Sequence, residues 1–267
     1  MAELIELRGA TKRFPTGSGG VHTAVRDLTM TVDRGEFVAV VGPTGCGKST
    51  TLSLVSGLEP PSEGEVLVGG QHVTGIPDGV GYMFQNDAVL PWRSVLDNVA
   101  AGPRYRGESK AAAREKARDW VQRVSLGGFE DYYPHQLSGG MRKRVAMAQT
   151  LVNEPSILLM DEPFSALDVQ TRALMQDELL RLWSGTGAGV VFVTHDLEEA
   201  IALADKVVVM TSSPATVKAT FTVPLDRPRT VEEVRLTSQF LEIYREIWDS
   251  LREEVEKARE QGARRVA

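Results

Sequence analysis

The sequence predicts an α/β fold around a mostly parallel β-sheet, and three observations point to it. Short, unbroken apolar runs recur at Phe37–Val41, Ile157–Met160 and Val190–Val193, as strands buried on both faces require. A glycine-rich turn, Gly42–Gly47, separates the first run from a helix expected over Lys48–Gly57, which is the strand–turn–helix layout of a parallel sheet. Further strand-like and helix-like stretches then alternate along the chain.

Taken in order, Glu3–Arg8 reads as a strand. Glu65–Val68 and Gln71–Thr74 read as a hairpin across the Gly69-Gly70 turn,. Val80–Phe84 is a short strand. Between residues 94 and 126 Ala, Arg, Glu and Lys dominate, and Ser109–Val124 reads as a helix. Met141–Val152 is a further helix, so residues 89–152 are expected to form a helical subdomain inserted into the α/β core. Leu197–Ala204 is helical and Lys206–Met210 is strand again. Pro224 and Pro228 mark a boundary. Beyond it Phe240, Leu241, Tyr244, Ile247, Trp248, Leu251 and Val255 form one apolar stripe at helical spacing,. The expected division is a domain over residues 1–225 and a helical extension over 226–267. The extension reads first as a helix packed on its own domain and second as a dimer or regulatory contact.

The chain has 267 residues, 42% of them apolar, enough for a sizeable core,. Lys+Arg number 30 against Asp+Glu 36, a net charge of −6, which argues against a duplex-wide nucleic-acid surface,. The single cysteine, Cys46, rules out an intrachain disulfide and suits the cytosol,. No segment approaches the roughly 18 consecutive apolar residues of a membrane span, and the first residues lack a secretory apolar core. If the protein serves a membrane, it is expected to dock from the side.

Gly42-Pro43-Thr44-Gly45-Cys46-Gly47-Lys48-Ser49 matches G-x-x-x-x-G-K-[ST] in full, followed by Thr50,. Glycines let the backbone curl until several N–H groups face phosphate oxygens, and the following helix aims its positive end at the same place. Lys48 is expected to bring a mobile positive charge to the β/γ-phosphates, and Ser49 a hydroxyl to Mg²⁺. Cys46 lies near a helix start, which tends to lower a thiol pKa, but reads as a spectator whose alkylation blocks ATP by bulk.

Ile157–Met160 runs straight into Asp161-Glu162. A carboxylate at the end of a buried strand sits at the ligand-binding edge of the sheet. Asp161 is the candidate Mg²⁺ holder and Glu162 the candidate base for an attacking water. Leu137-Ser138-Gly139-Gly140-Met141 precedes the helix carrying Arg142, Lys143 and Arg144. With Ser138 as its cap, that helix start is a second anion site.

With these motifs in this order the chain resembles the ATP-binding subunits of ABC transporters. The resemblance covers roughly residues 3–225. It identifies Gly42–Ser49 as Walker A, Gln85 as the Q-loop, Leu137–Met141 as the signature, Ile157–Glu162 as Walker B, Ser165–Asp168 as the D-loop and His195 as the H-loop. The implied fold is a RecA-like P-loop core with an ABC-type antiparallel β-subdomain and an inserted α-helical subdomain. The resemblance also implies Phe14 stacking on adenine, Gln85 touching Mg²⁺ or the water, and His195 on the γ-phosphate. Ser138, Gly139 and Gly140 would close on the ATP of the opposite protomer. Met141 departs from the commonest signature, which has Gln there. His22, His72 and His135 read as ordinary histidines. Asn86–Trp92, apolar for a loop, reads as part of a groove for a membrane subunit.

Finer resemblance, carried by Gln85–Val99, Asp161–Leu182 and His195–Arg229, is to nitrate/sulfonate/taurine-type importers. It implies ATP and Mg²⁺ as cofactors, a homodimer or paralogous heterodimer, two permease subunits and, indirectly, a solute-binding protein. The expected place is the cytoplasmic face of the inner membrane, with no nucleic-acid partner. The competing reading is a soluble ABC ATPase of DNA repair or translation. Such proteins usually carry two cassettes or a long coiled coil, whereas this chain has one cassette and a net negative charge.

Overall fold

The computed structural model describes residues 3–17 and 19–266. A six-stranded sheet forms the centre of the chain. Its strands, in spatial order, are β10 (Val217–Thr222), β9 (Lys206–Met210), β3 (Phe37–Val41), β8 (Gly189–Val193), β7 (Ile157–Asp161) and β6 (Val80–Met83). From β9 to β6 all neighbours are parallel, and β10 runs antiparallel to β9.

Strand alternation splits the core into two. Phe37, Ala39, Leu158, Met160, Val190 and Phe192 point into one cluster. Val38, Val40, Ile157, Leu159, Val191 and Val193 point into the other. Helices α5 (Gly139–Leu151), α6 (Val169–Trp183) and α7 (Leu197–Leu203) contribute to the first cluster. The second is roofed by α1 (Lys48–Val55) and by an antiparallel sheet of β2 (Val21–Asp33), β1 (Glu3–Pro15), β4 (Glu63–Val68) and β5 (Gln71–His72). The fold is therefore the expected α/β core with an antiparallel β-subdomain. Among the described residues no helix is long and apolar enough to cross a membrane.

Two strands exceed their sequence reading for one reason. β1 continues past Arg8 to Pro15, and β2, unassigned from sequence, pairs with it throughout. Gly9 and Asp27 both take positive φ (58° and 47°), and the register shifts between Leu7 and Ala10. Such a bulge breaks the period-2 pattern by which strands are recognised. Helix α6 was likewise unassigned. It starts at the Asp168 side chain, which accepts a hydrogen bond from the Thr171 N–H at 3.0 Å.

The helical insert comprises α2 (Val95–Val99), α3 (Ala101–Tyr105), α4 (Lys110–Arg123) and α5. Ser94, Ser109 and Ser138 cap α2, α4 and α5 through their side-chain oxygens,. Buried Asn98 accepts from Leu90 N–H at 2.7 Å and donates to the carbonyls of Leu90, Arg93 and Ser94, which fixes the loop before α2.

Past Pro228, α8 (Val231–Arg235) and α9 (Ser238–Val266) return to the core. Phe240, Ile243, Ile247 and Leu251 are buried in the first cluster. Buried Glu254 accepts from Ser212 N–H at 2.9 Å and pairs with Lys218 and Lys257. Of the predicted stripe, Phe240, Ile247 and Leu251 are buried on the domain and Tyr244 and Val255 pack against the same cluster, whereas Leu241 and Trp248 are exposed and Ile243 is buried instead. Ile247→Ala, at a fully buried position, should cost about 2–5 kcal/mol, read as a lowered urea midpoint. An unchanged midpoint would mean that α9 does not contribute to the cooperative fold.

Candidate active site

Parallel pairing in the order β3-β8-β7-β6 sets four carboxyl ends side by side. The chain leaves β3 into the glycine turn, β8 into Thr194-His195, β7 into Glu162 and β6 into Phe84-Gln85. A cavity of about 590 Å³ lies there. It is lined by Phe14, Thr44, Gly45, Gly47, Lys48, Ser49, Thr50, Gln85, Glu162 and His195 from the sequence-predicted set, and by His22 and Ala24.

The turn is built for close approach. Gly47 has φ 128°, and a Cβ there would lie 2.8 Å from the Ala24 carbonyl oxygen, so only glycine fits between the loop and β2. No side chain caps α1, which starts at Gly47. Its first N–H groups are left for a ligand, and an anion is the ligand that the helix dipole favours.

Lys48 differs from its expected state. It is buried rather than mobile: Nζ donates to the carbonyls of Gly42 at 2.8 Å and Pro43 at 3.0 Å. The loop's own dipoles hold the ammonium. Cys46 is also a correction. It is buried, with its Sγ 3.0 Å from where a Cβ on Gly42 would stand, and burial pushes the thiol up rather than down. Helix-start stabilisation loses to desolvation because the thiol is inside the loop rather than at its mouth. Gly42, Pro43 and Cys46 form the back of the cradle, not its lining.

Ser49 Oγ donates to Asp161 Oδ1 at 3.0 Å. Burial pushes the Asp161 carboxyl up; the Ser49 bond pulls it back, the Glu162 charge adds to the rise and Lys48 opposes it. A hydroxyl and a half-buried carboxylate side by side are hard oxygen donors that suit Mg²⁺, which takes one or two protein ligands and completes its shell with phosphate and water,. The residues fit the ion. Among the described residues no cluster of three or more His, Cys, Asp or Glu could hold a metal without such help.

Glu162 sits at φ 44°, a left-handed backbone that costs a non-glycine residue about 1–3 kcal/mol,. The strain is held from both sides: its N–H donates to Val193 O at 2.9 Å, and Ser165 N–H and Oγ donate to its carbonyl. The turn brings Glu162 Oε2 to 2.8 Å from His195 Nδ1. Behind them, Thr194 Oγ1 donates to buried Glu199 at 2.5 Å, and Gln176 on α6 donates to the same carboxyl at 2.8 Å. Arg172 contacts Asp196 at 3.4 Å and donates to Leu167 O at 3.1 Å. The D-loop and His195 are thus bolted together by side chains that sequence motifs did not single out. His22 was also missed; it faces the cavity because antiparallel pairing sets it opposite Phe14.

Ser138, Gly139 and Gly140 do not line this cavity. Ser138 Oγ accepts from Met141 N–H at 3.2 Å, so Met141 serves the cap through its backbone alone.

The family model described as ABC transporter matches residues 25–165. An uncharacterized ABC transporter ATP-binding protein of Methanocaldococcus jannaschii is 43% identical over 95% of this chain and 93% of its own length. The chain belongs to the ABC transporter ATP-binding family. As such it hydrolyses ATP in the service of transport. A taurine import ATP-binding protein of Burkholderia thailandensis is 40% identical, covering 89% of this chain and 93% of that one. A dimeric ATP-binding cassette solved in a post-hydrolysis state with ADP and phosphate superposes with a TM-score of 0.73, at 29% identity, over 83% of this chain and 100% of the other.

Two outcomes test this geometry. Because the folded Asp161 carboxyl holds its proton above the ordinary range, the empty protein loses stability as pH rises through that window,. Asp161→Asn should therefore melt higher than wild type at about neutral pH without nucleotide, the gap closing below about pH 4 as the carboxyl becomes protonated in the folded and unfolded chain alike. A variant that melts lower at neutral pH would refute the burial penalty. Separately, iodoacetamide should label Cys46 far more slowly in the folded than in the urea-unfolded chain, as read by mass spectrometry.

Proposed function

We propose that two copies of this chain, or one copy and a close paralogue, close head to tail over two ATP molecules at the cytoplasmic face of an inner membrane. There they drive the uptake of a small solute, an oxyanion such as nitrate, a sulfonate or taurine. One observation carries the reading. The glycine turn with Lys48 and Ser49, Glu162, Gln85 and His195 converge on one cavity, with Asp161 behind it bound to Ser49, while the second anion site at Ser138–Gly140 lies outside it. A site split in this way is completed by a second cassette.

In this reading the backbone N–H groups of the turn and Lys48 hold the β/γ-phosphates. Ser49 and Asp161 hold Mg²⁺, with Gln85 beside them, and the ion supplies charge neutralisation to the phosphates. Phe14, on β1 beside the cavity, offers its ring to adenine. Glu162, aimed by its strained backbone, polarises the attacking water. His195, held by Glu162, reaches the γ-phosphate. Closure by the partner's Ser138–Gly140 helix start excludes water and adds donors where charge gathers. Loss of the γ-phosphate removes what both sides grip, and the pair opens.

A second cavity of about 330 Å³ supports the permease reading. It lies along edge strand β6 and is lined by Phe84, Asn86, Ala88, Leu90 and Tyr105, among others. Phe84 and Tyr105 are 47% and 74% exposed, an apolar and aromatic rim of the kind that receives a protein segment, while Trp92, expected in the groove, is exposed but not part of its lining. Of the loop assigned to this groove, Val89 instead packs against the core and Asp87 turns elsewhere. The solute class rests on the relatives named for taurine and aliphatic sulfonate import. A solute-binding protein and two permeases would complete the system.

Glu162→Gln should keep ATP binding and lose turnover by about 10²–10⁴-fold, while an ATP-bound dimer accumulates. Phosphate release and gel filtration with MgATP read both. A variant that stays monomeric with ATP and hydrolyses at the wild-type rate would sink the seam.

A further inference from the structure

Residues 85–88, in the loop after β6, face three different places. Gln85 lines the nucleotide cavity. Asn86 and Ala88 line the groove. Asp87, between them, turns toward the signature helix, where its Oδ1 lies 2.7 Å from Lys143 Nζ. Lys143 is 2% exposed and also approaches the Gln85 carbonyl at 3.4 Å. Arg142 Nε lies 3.7 Å from Asp87 Oδ2, and its NH1 donates to Leu137 O at 2.8 Å, immediately before Ser138.

A surface ion pair would carry little weight. This one does not belong to that class, because its ammonium is buried and Asp87 is the one carboxylate paired with it among the described residues. Downstream, Leu90–Ser94 is anchored separately to Asn98 on α2. The start of the loop is thus tied to α5 by polar contacts, through the Asp87 pair and the Lys143 bond to the Gln85 carbonyl.

We propose that Asp87 is a positioning residue. Through Lys143 and Arg142 it fixes the start of α5 relative to Gln85, so the groove, the Gln85 loop and the second anion site move as one body. The proposal rests on the seam reading above. A segment pressed into the groove would then shift Ser138–Gly140 without touching it, and nucleotide felt at Gln85 would reach the same helix start.

Asp87→Asn leaves a buried ammonium unpaired and is expected to lower stability as well as turnover. The decisive variant is therefore the double Asp87→Asn/Lys143→Met, which removes both charges and keeps the packing. It should melt near wild type and bind MgATP within about twofold, yet turn over at least about tenfold more slowly. In a Glu162→Gln background it should need about tenfold more ATP to dimerise. Asp87→Glu, which keeps the charge, should recover most of the wild-type rate. A double variant with wild-type turnover and dimerisation overturns the proposal. So does a loss of nucleotide binding parallel to the loss of rate, which would make the pair merely structural. If wild type hydrolyses ATP and its Glu162→Gln form never dimerises, the seam reading fails and takes this proposal with it.

Discussion

Parallel pairing of β3, β8, β7 and β6 is the constraint on which the site depends. Parallel strands all end on the same side of a sheet, and adjacency brings those ends within one cavity's width. The glycine turn, Gln85, Glu162 and His195 lie between residues 42 and 195 of the chain, yet each is simply the next residue or two after a neighbouring strand. No side-chain contact needs to gather them. The backbone ladder does so, and burial of both faces of the sheet fixes its register, since a slip by one residue would exchange the two core clusters.

Within the site the charged groups satisfy one another. Lys48 is held by loop carbonyls, Ser49 by Asp161, and His195 by Glu162. Each partner is one that a phosphate, a cation or a water can displace with little rearrangement. The arrangement is preorganised toward anion and cation at once, and its cost shows as the raised Asp161 carboxyl and the left-handed Glu162 backbone. Both are local penalties, as expected where stability is given up for function.

The helical insert adds a second level. It is attached to the central sheet by ordinary packing in the first core cluster, but its contacts with the catalytic loops are polar: Lys143 with Asp87, and Asn98 with the backbone beyond it. On the opposite side, Gln176, Glu199 and Arg172 join α6 to the His195 turn. Apolar packing holds the bodies together. Polar links decide which loop follows which helix.

Much of this was legible in the sequence, because local chemistry demands particular residues at fixed spacing. A phosphate cradle needs its glycines and lysine within eight positions. A strand-end carboxylate needs an unbroken apolar run before it. Ser138 announces its helix through capping, whereas the caps at Ser94 and Ser109 were seen only in the fold. What stayed hidden depended on partners distant along the chain. β2 and the far half of β1 were masked by bulges at Gly9 and Asp27, which make sense only when the two strands lie side by side. His22 became a site residue only by pairing opposite Phe14. Cys46 and Lys48 were misjudged because the sequence shows a residue's type but not its burial. Whether a thiol or an ammonium is solvated, and by what, is set by the atoms that folding brings around it, and the tertiary structure alone decided that.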